Sequence, residues 1–547
     1  MYPGLRDHRR WVLPEVLAFQ AGVQPDRTYA AMVDGDTLTY GAAAADAARV
    51  AGFLSDLGIG PRDRVAALLP NGLDFVRLWL GAGRLGATLV PLNIDLKGAF
   101  LEHQLRDSAA RLVVVDTTLL DGVAAIAPAI SGLERIVVAG SAGADGHIGF
   151  ERWRAAAAHD GPLPSSRDIA CIMYTSGTTG PSKGVLMPHA HCYLFGLGTI
   201  DSQNLTPQDR LYVSTPLFHA NGLFMQLYAT LIAGASAVVR PRFSAGSWLA
   251  DVRGFLVTST NLLGAMTAFI FAQPASAADA DHRLRVIQTA PNDPAHEAVW
   301  HRRFGVAEVL SGYGMTEVNI PIYGMIGRAR PGTSGRVYER YFQVEVRDPE
   351  TDDPVPAGQV GEIMVRPKVP FGFMAGYNGV PEKTLEAWRN FWFHTGDAGV
   401  MDHDGYFAFI DRMKDCIRRR GENISSFEVE SALLRLDGVK EVAAFAVPAD
   451  TPAGEDEVML AVVPHPGATL TAEAVVRFAD GVLPRFARPR YVEILDELPK
   501  TPTEKVRKEA LRRRAVTAST WDRERMGPRH SPGSPSADAR TASRTPA

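Results

Sequence analysis

Tyr174-Thr-Ser-Gly-Thr-Thr-Gly-Pro-Ser-Lys-Gly184 follows the apolar run Ile169–Met173. An apolar run without in/out alternation reads as a buried strand. The loop it delivers is dense in glycines and hydroxyls, which suits an anion. Glycines let backbone N–H groups approach the anion closely, and side chains add further donors. Here those donors are the hydroxyls of Thr175, Ser176, Thr178 and Thr179 and the ammonium of Lys183, around Gly177, Gly180 and Gly184. Together they could wrap a polyphosphate. The competing reading, a surface turn, gives no reason for so many donors in one place. The loop is not a Walker A motif. Ser182 rather than glycine precedes Lys183, and Gly184 replaces the Ser or Thr that would hold magnesium.

Outward from the loop, short β-branched runs alternate with Ala/Leu-rich helical stretches. Arg64–Leu69, Ala87–Pro91, Leu112–Asp116 and Arg135–Val138 read as strands of a parallel sheet. Between Asn71 and Leu85, Phe75, Leu78, Leu80 and Leu85 fall at helical spacing, the mark of core packing. After Arg336 the texture changes. Phe342–Val346, Val360–Arg366 and Tyr406–Asp411 read as strands separated by Gly, Asp and Pro, hence a β-rich subdomain. A helical segment leads into a strand over Ile424–Val447, and Glu457–Val463 is a further strand. The charged connection Ile410–Arg420 is a candidate domain boundary. The expected fold class is α/β. A large N-terminal domain (1–411) combines α/β subdomains with the β-rich one, a small α+β C-terminal domain follows (412–525), and a Pro/Ser/Arg/Ala-rich tail (526–547) is expected to be disordered.

Composition narrows the function classes. With 547 residues, a net charge of −4, 46% hydrophobic and 22% charged residues, the chain is an ordinary globular protein and not a nucleic-acid binder held by bulk charge. Cys171, Cys192 and Cys416 are widely spaced and form no zinc pattern, which fits a reducing compartment. Met1–Arg10 leads into no apolar run, so no signal peptide is expected. The longest stretch free of charged residues, Leu211–Val239, contains Pro216, His219, Asn221 and Gln226, so no membrane span is expected. The localisation expected from these features is cytoplasmic.

Four more segments give the loop its context: Tyr313-Gly-Met-Thr-Glu317, Phe393-His-Thr-Gly-Asp397, Asp411-Arg-Met-Lys-Asp-Cys-Ile-Arg-Arg-Arg-Gly-Glu-Asn-Ile424 and Pro499-Lys-Thr-Pro-Thr-Glu-Lys505. In this order they resemble the motif series of the adenylate-forming superfamily, which includes acyl-CoA synthetases, peptide-synthetase adenylation domains and luciferase. The resemblance spans about residues 12–525. Pro331-Gly-Thr-Ser-Gly335, Gly421-Glu-Asn-Ile-Ser425 and Thr501-Pro-Thr-Glu-Lys505 are most similar to the crotonobetaine/carnitine-CoA ligase group.

The resemblance implies a two-step reaction. A carboxylate attacks the α-phosphorus of ATP, giving an acyl-adenylate and pyrophosphate, and the thiol of CoA then displaces AMP. Thr175, Ser176, Gly177, Thr178, Thr179, Gly180 and Lys183 would hold the outer phosphates. Thr316 would contact the α-phosphate. Glu317, with Thr178, would hold Mg2+, a cation that prefers hard oxygen ligands. Tyr313 would stack on adenine, and Thr289, Ala290 and Pro291 would line that site, although Gln288 and Asn292-Asp293 depart from the usual glycine-rich form. Asp397 would accept from the ribose hydroxyls and Arg412 would add a donor. Lys505 would be catalytic, a compact charge at the reacting phosphate, preceded here by Glu504 where glycine is common. Lys414 would be the hinge about which a mobile C-terminal domain turns, and Gly421 would let the pantetheine arm pass. His219 would flank the acyl tunnel; a satisfied core histidine is the alternative. Arg418, Arg419 and Arg420 would meet CoA phosphates or form a solvated charge run.

Two other functions stay open, and a third is disfavoured. The thiol acceptor could belong to a carrier protein, since both thiols end the same pantetheine arm. The adenylate chemistry could serve another nucleophile or oxyanion, nitrite in N–N bond formation among them. Nucleotide sensing without catalysis would require loss of a catalytic residue, and Lys505, Glu317 and Asp397 are all present.

Overall fold

The apolar run that precedes the loop forms the strand Ile169–Thr175, in a sheet of eight strands. The computed structural model describes residues 2–140, 146–175, 181–290, 294–412, 416–419, 422–449, 456–500, 506, 508–525 and 527–528. The chain divides into two compact units, Met1–Lys414 and Asp415–Ala547.

The first unit holds three sheets. In the first, Ile169–Thr175 continues a parallel set formed by Thr88–Pro91, Arg64–Leu68, Leu112–Asp116, Arg135–Ala139 and Ile148–Gly149. Val65, Val113, Val114 and Val137 are fully buried, as strands covered on both faces require. Two antiparallel strands, Lys183–Pro188 and then Gly376–Tyr377, close the edge beside Ile169–Thr175. A second sheet runs Glu308–Leu310, Val286–Ala290, Ser259–Leu263, Arg210–Val213, Ser236–Val239 and Thr28–Met32 in parallel, with Thr37–Thr39 added antiparallel. The third is antiparallel and contains Gly312–Met315, Asn319–Tyr323, Gly335–Val337, Tyr406–Arg412, Trp392–Met401, Val360–Pro367 and Phe342–Arg347. This is the β-rich subdomain expected after Arg336, and it also recruits the strands before it.

The helix His189–Gln203 is buried almost all round, including His189, His191, Ser202 and Gln203. A helix without a polar face belongs in the middle of a core, not at its surface. Gly198 lies so close to Tyr323 that an added Cβ would meet its ring at 2.5 Å, which is how the helix reaches the antiparallel sheet. Beyond it, Asn221–Tyr228 forms a π-helix, the wider turn often found near functional sites.

The second unit is a smaller α+β assembly. Val439–Pro448, Asp456–Pro464, Tyr491–Ile494, Trp521–Asp522 and Gly527–Pro528 make a five-stranded sheet, and Cys416–Arg419 pairs with Glu422–Ser425 in a separate hairpin. Helices Ser426–Leu433, Ala472–Val482 and Lys508–Arg514 accompany them. Gly527–Pro528, within the stretch expected to be disordered, pairs with Trp521–Asp522; the rest of that tail lies outside the described residues. No helix among the described residues is long and apolar enough to cross a membrane.

Candidate active site

Both feet of the glycine-rich loop are fastened to the helix Gly98–Asp107. At the entry, Tyr174 Oη donates to Asp107 Oδ2 (2.7 Å). At the exit, His103 Nε2 lies 2.9 Å from the Ser182 carbonyl oxygen and Gln104 Nε2 donates to Ser182 Oγ (3.2 Å). Burial and the Asp107 carboxylate push the Tyr174 phenol well above its ordinary range, so it stays a neutral donor. Gly184 follows Lys183 because nothing larger fits. A Cβ there would meet Ile172 Cγ2 at 2.8 Å and Tyr174 Cζ at 3.3 Å. Ser176, Gly177, Thr178, Thr179 and Gly180 lie outside the described residues.

At the end of the loop's first strand, Thr175 meets the second motif. Its Oγ1 donates to Glu317 Oε1 (3.1 Å), and Tyr377 Oη donates to the same oxygen (3.0 Å). Glu317 is buried, and its other oxygen, Oε2, has no hydrogen-bond partner among the described residues. An ionised carboxylate in such a place is costly unless a cation completes it. Lys183 Nζ sits 4.2 Å from the centre of the Tyr377 ring, so the tyrosine touches both the loop's cation and the motif's anion.

Thr316, next to Glu317, is held through its backbone. The Thr316 carbonyl oxygen lies 2.8 Å from His191 Nε2, and Asn319 Nδ2 donates to the His191 carbonyl (2.9 Å). Asn319 adopts a left-handed conformation (φ 71°) and is fully buried. Burial holds the His191 imidazole down to about pKa 4, so at neutral pH it is uncharged and its Nε2–H is the donor to Thr316.

In the third sheet Tyr313 Oη donates to Asp397 Oδ2 (2.9 Å), and the Tyr313 ring stacks on Phe409, with centroids 6.1 Å apart. Asp397 and Arg412 are direct cross-strand partners, so their Cα atoms face each other across the ladder. The irregular stretch of the strand Trp392–Met401 that carries Asp397 is fixed by Glu362. Its Oε1 accepts the Gly396 N–H (2.8 Å), while Oε2 lies 3.0 Å from His394 Nδ1. Thr289 and Ala290 end the parallel strand Val286–Ala290, at the carboxyl edge where open α/β sheets place ligands. Thr289 Oγ1 lies 3.5 Å from Thr267 Oγ1. His219 is half-buried beside Phe218, just before the π-helix.

The structure therefore joins Thr175 to Glu317 directly, Lys183 and Glu317 through Tyr377, and Tyr313 with Asp397. Pro291, Lys414, Gly421, Lys505 and the Arg412 side chain lie outside what is described. Within the second unit, Arg419 is a buried ion-pair partner of Glu457 (2.7 Å), which removes it from the solvated charge run. Lys500 pairs with Glu441 (2.9 Å) and Lys508 with Glu430 (2.6 Å). Tyr377, His191 and Glu362 are the residues that sequence reasoning missed.

Residues 17–378 match the model of the AMP-binding enzyme family, and residues 428–505 match its C-terminal domain. The chain belongs to this family. It is 34% identical over 507 residues to the sulfoacetate–CoA ligase of Cupriavidus necator, covering 91% of this chain and 96% of that one. It is 32% identical over 479 residues to the crotonobetaine/carnitine–CoA ligase of Salmonella paratyphi A, covering 85% and 91%. The crystal structure of ATP-bound MatB from Rhodopseudomonas palustris superposes with a TM-score of 0.66 at 30% identity, covering 92% of this chain and 98% of that one. The protein is an acyl-CoA synthetase: it uses ATP to activate an acid and transfers the acyl group to CoA.

Proposed function

We propose that both nucleotide contacts and metal binding in this synthetase are made by the side chains gathered around Glu317, and that the acid is activated there as an acyl-adenylate. The observation that carries this reading is the state of Glu317. One oxygen is held by the hydroxyls of Thr175 and Tyr377, and the other is buried without a partner among the described residues. That orphan oxygen suits Mg2+, which takes one or two carboxylates and completes its shell with phosphate oxygens and water. Among the described residues there is no cluster of three or more His, Cys, Asp or Glu able to hold a metal by itself. Glu317, with Thr178, is thus the protein's share of a nucleotide-borne cation. When bound, Mg2+ would neutralise charge on the outer phosphates.

The chain's own residues do the rest. The loop Thr175–Gly180 and Lys183 receive the β- and γ-phosphates. Thr316, its backbone pinned by His191, presents its hydroxyl to the α-phosphate. Tyr313 offers its ring to adenine beside Thr289, Ala290 and Pro291, and its hydroxyl steadies Asp397 for the ribose. Arg412, directly across from Asp397, donates to the same sugar. The acid approaches past His219. Lys505 would bridge its carboxylate and the α-phosphate oxygens as negative charge builds. The N-terminal domain (1–411) would bind ATP and acid. The lid domain (412–525) would bring Lys505 for the first step and Gly421 for the second, turning at Lys414, with 526–547 as a tail. The free, buried thiols of Cys171 and Cys192 agree with a cytoplasmic enzyme.

The test is pyrophosphate exchange over a panel of acids that includes sulfoacetate and crotonobetaine, the acids of its relatives, with Lys505→Ala as control. Exchange with at least one acid, abolished in the variant, is expected. The variant should still convert preformed acyl-adenylate to acyl-CoA. Equal loss in both halves would remove Lys505 from the role given to it. A phosphopantetheinylated carrier protein offered beside CoA reads out the acceptor.

A further inference from the structure

Tyr377 contacts two groups of opposite charge, the ammonium of Lys183 over its ring face and the carboxylate of Glu317 at its hydroxyl. The backbone explains why. Tyr377 is the direct antiparallel partner of Val185, and Lys183 lies two residues before Val185, on the same face of the strand. A diagonal neighbour at that spacing is within reach of a long side chain. The tyrosine is itself anchored, since its N–H donates to Thr384 Oγ1 (2.9 Å) and the ring is buried. Burial and Glu317 together keep its phenol protonated.

We propose that Tyr377 is a positioning residue that keeps Lys183 and Glu317 apart as separate charged groups, one for the phosphates and one for the cation. The inference rests on the proposed nucleotide site. Two contacts on one ring divide the work. The ring face gives the ammonium a resting place other than the carboxylate. The hydroxyl, with Thr175, occupies Glu317 Oε1 and thereby fixes the rotamer that leaves Oε2 to the metal. Packing alone needs the ring but not the hydroxyl, so phenylalanine separates the two roles.

The test uses the full chain and equilibrium binding of a non-hydrolysable ATP analogue, with Mg2+ titrated from zero. Losing one hydrogen bond to a charged group changes an equilibrium about tenfold. In Tyr377→Phe the Mg2+ needed for half-saturation should therefore rise about tenfold, while binding of the analogue without Mg2+ changes less than about twofold. In Tyr377→Leu, Lys183 loses its contact with the ring face, and analogue binding should also weaken severalfold without Mg2+. A purely structural tyrosine would make the two variants alike, or would lower the thermal midpoint with no separate Mg2+ effect; either result overturns the proposal. Because Phe preserves the packing, it decides the case even if Leu fails to fold. If the wild type binds the analogue with Mg2+ yet exchanges pyrophosphate with no acid, the reading of the reaction fails while the Tyr377 result stands. A wild type that binds no nucleotide overturns both.

Discussion

Lowering the pH from 7.5 to 5 should destabilise this enzyme through two histidines on one helical turn. His189 and His191 open the helix His189–Gln203, and both are buried. His189 Nδ1 accepts the Leu13 N–H, and His191 Nε2–H serves the Thr316 carbonyl, so each is built into the fold as a neutral ring. Burial lowers both pKa values from 6.5 to about 4. The folded pKa lies below the unfolded one, so as the pH falls the unfolded chain takes up the proton first. The stability these rings contribute is complete above about pH 6.5 and is lost progressively down to about pH 4. At pH 5 the loss comes to roughly 2 kcal/mol per ring, or about 4 for the pair. The assay is urea unfolding followed by tryptophan fluorescence at pH 7.5 and 5, for the wild type and for His189→Gln/His191→Gln. The double variant should be weaker at pH 7.5 yet lose about 4 kcal/mol less on acidification. An identical acid response in the two proteins would refute the reasoning and place the sensitivity elsewhere.

Other expectations follow from single contacts. Tyr313→Phe removes the hydroxyl on Asp397, a hydrogen bond to a charged group worth about 1.5–3 kcal/mol, so the KM for ATP should rise about tenfold or more with thermal stability little changed. Gly335→Ala should abolish soluble expression: its φ is 102° and a Cβ would sit 2.1 Å from the Tyr323 carbonyl oxygen. Gly132→Ala, where nothing lies within 4 Å, should express normally. Arg419→Met should remove the nearer ion-pair partner of Glu457 and leave Arg490 at 3.9 Å, lowering the thermal midpoint of the C-terminal unit, measured by its own transition in a thermal scan.

The parts of the fold legible in the sequence are those with strong local signals. Leu112–Asp116 is read to the residue, because a short run with three consecutive valines flanked by polar residues favours a strand covered on both faces. Phe342–Val346 is likewise legible from its alternation, and Val360–Arg366 from the Gly, Asp and Pro that bound it. The nucleotide motifs are legible because glycine, hydroxyl and charge crowd into short segments. Tyr377 is not, since nothing in Ala375-Gly-Tyr-Asn378 marks it until the edge strand pairs with Lys183–Pro188. His191 is hidden for a similar reason. A histidine inside an apolar helix looks like packing, and only the fold brings the Thr316 carbonyl to it. Glu362 reaches the backbone beside Asp397 from a neighbouring strand, a register that no local pattern encodes. The π-helix at Asn221–Tyr228 has no sequence signature at all that distinguishes it from an α-helix.

The central claim is that Glu317 and Lys505 act on one ATP to make an acyl-adenylate. The most direct measurement is acid-dependent exchange of labelled pyrophosphate into ATP, run in parallel on the wild type, Glu317→Gln and Lys505→Ala with the best acid of the panel. Exchange is expected in the wild type, with loss in Lys505→Ala at every Mg2+ concentration and partial recovery of Glu317→Gln at high Mg2+. Full exchange in either variant at low Mg2+ would contradict that claim.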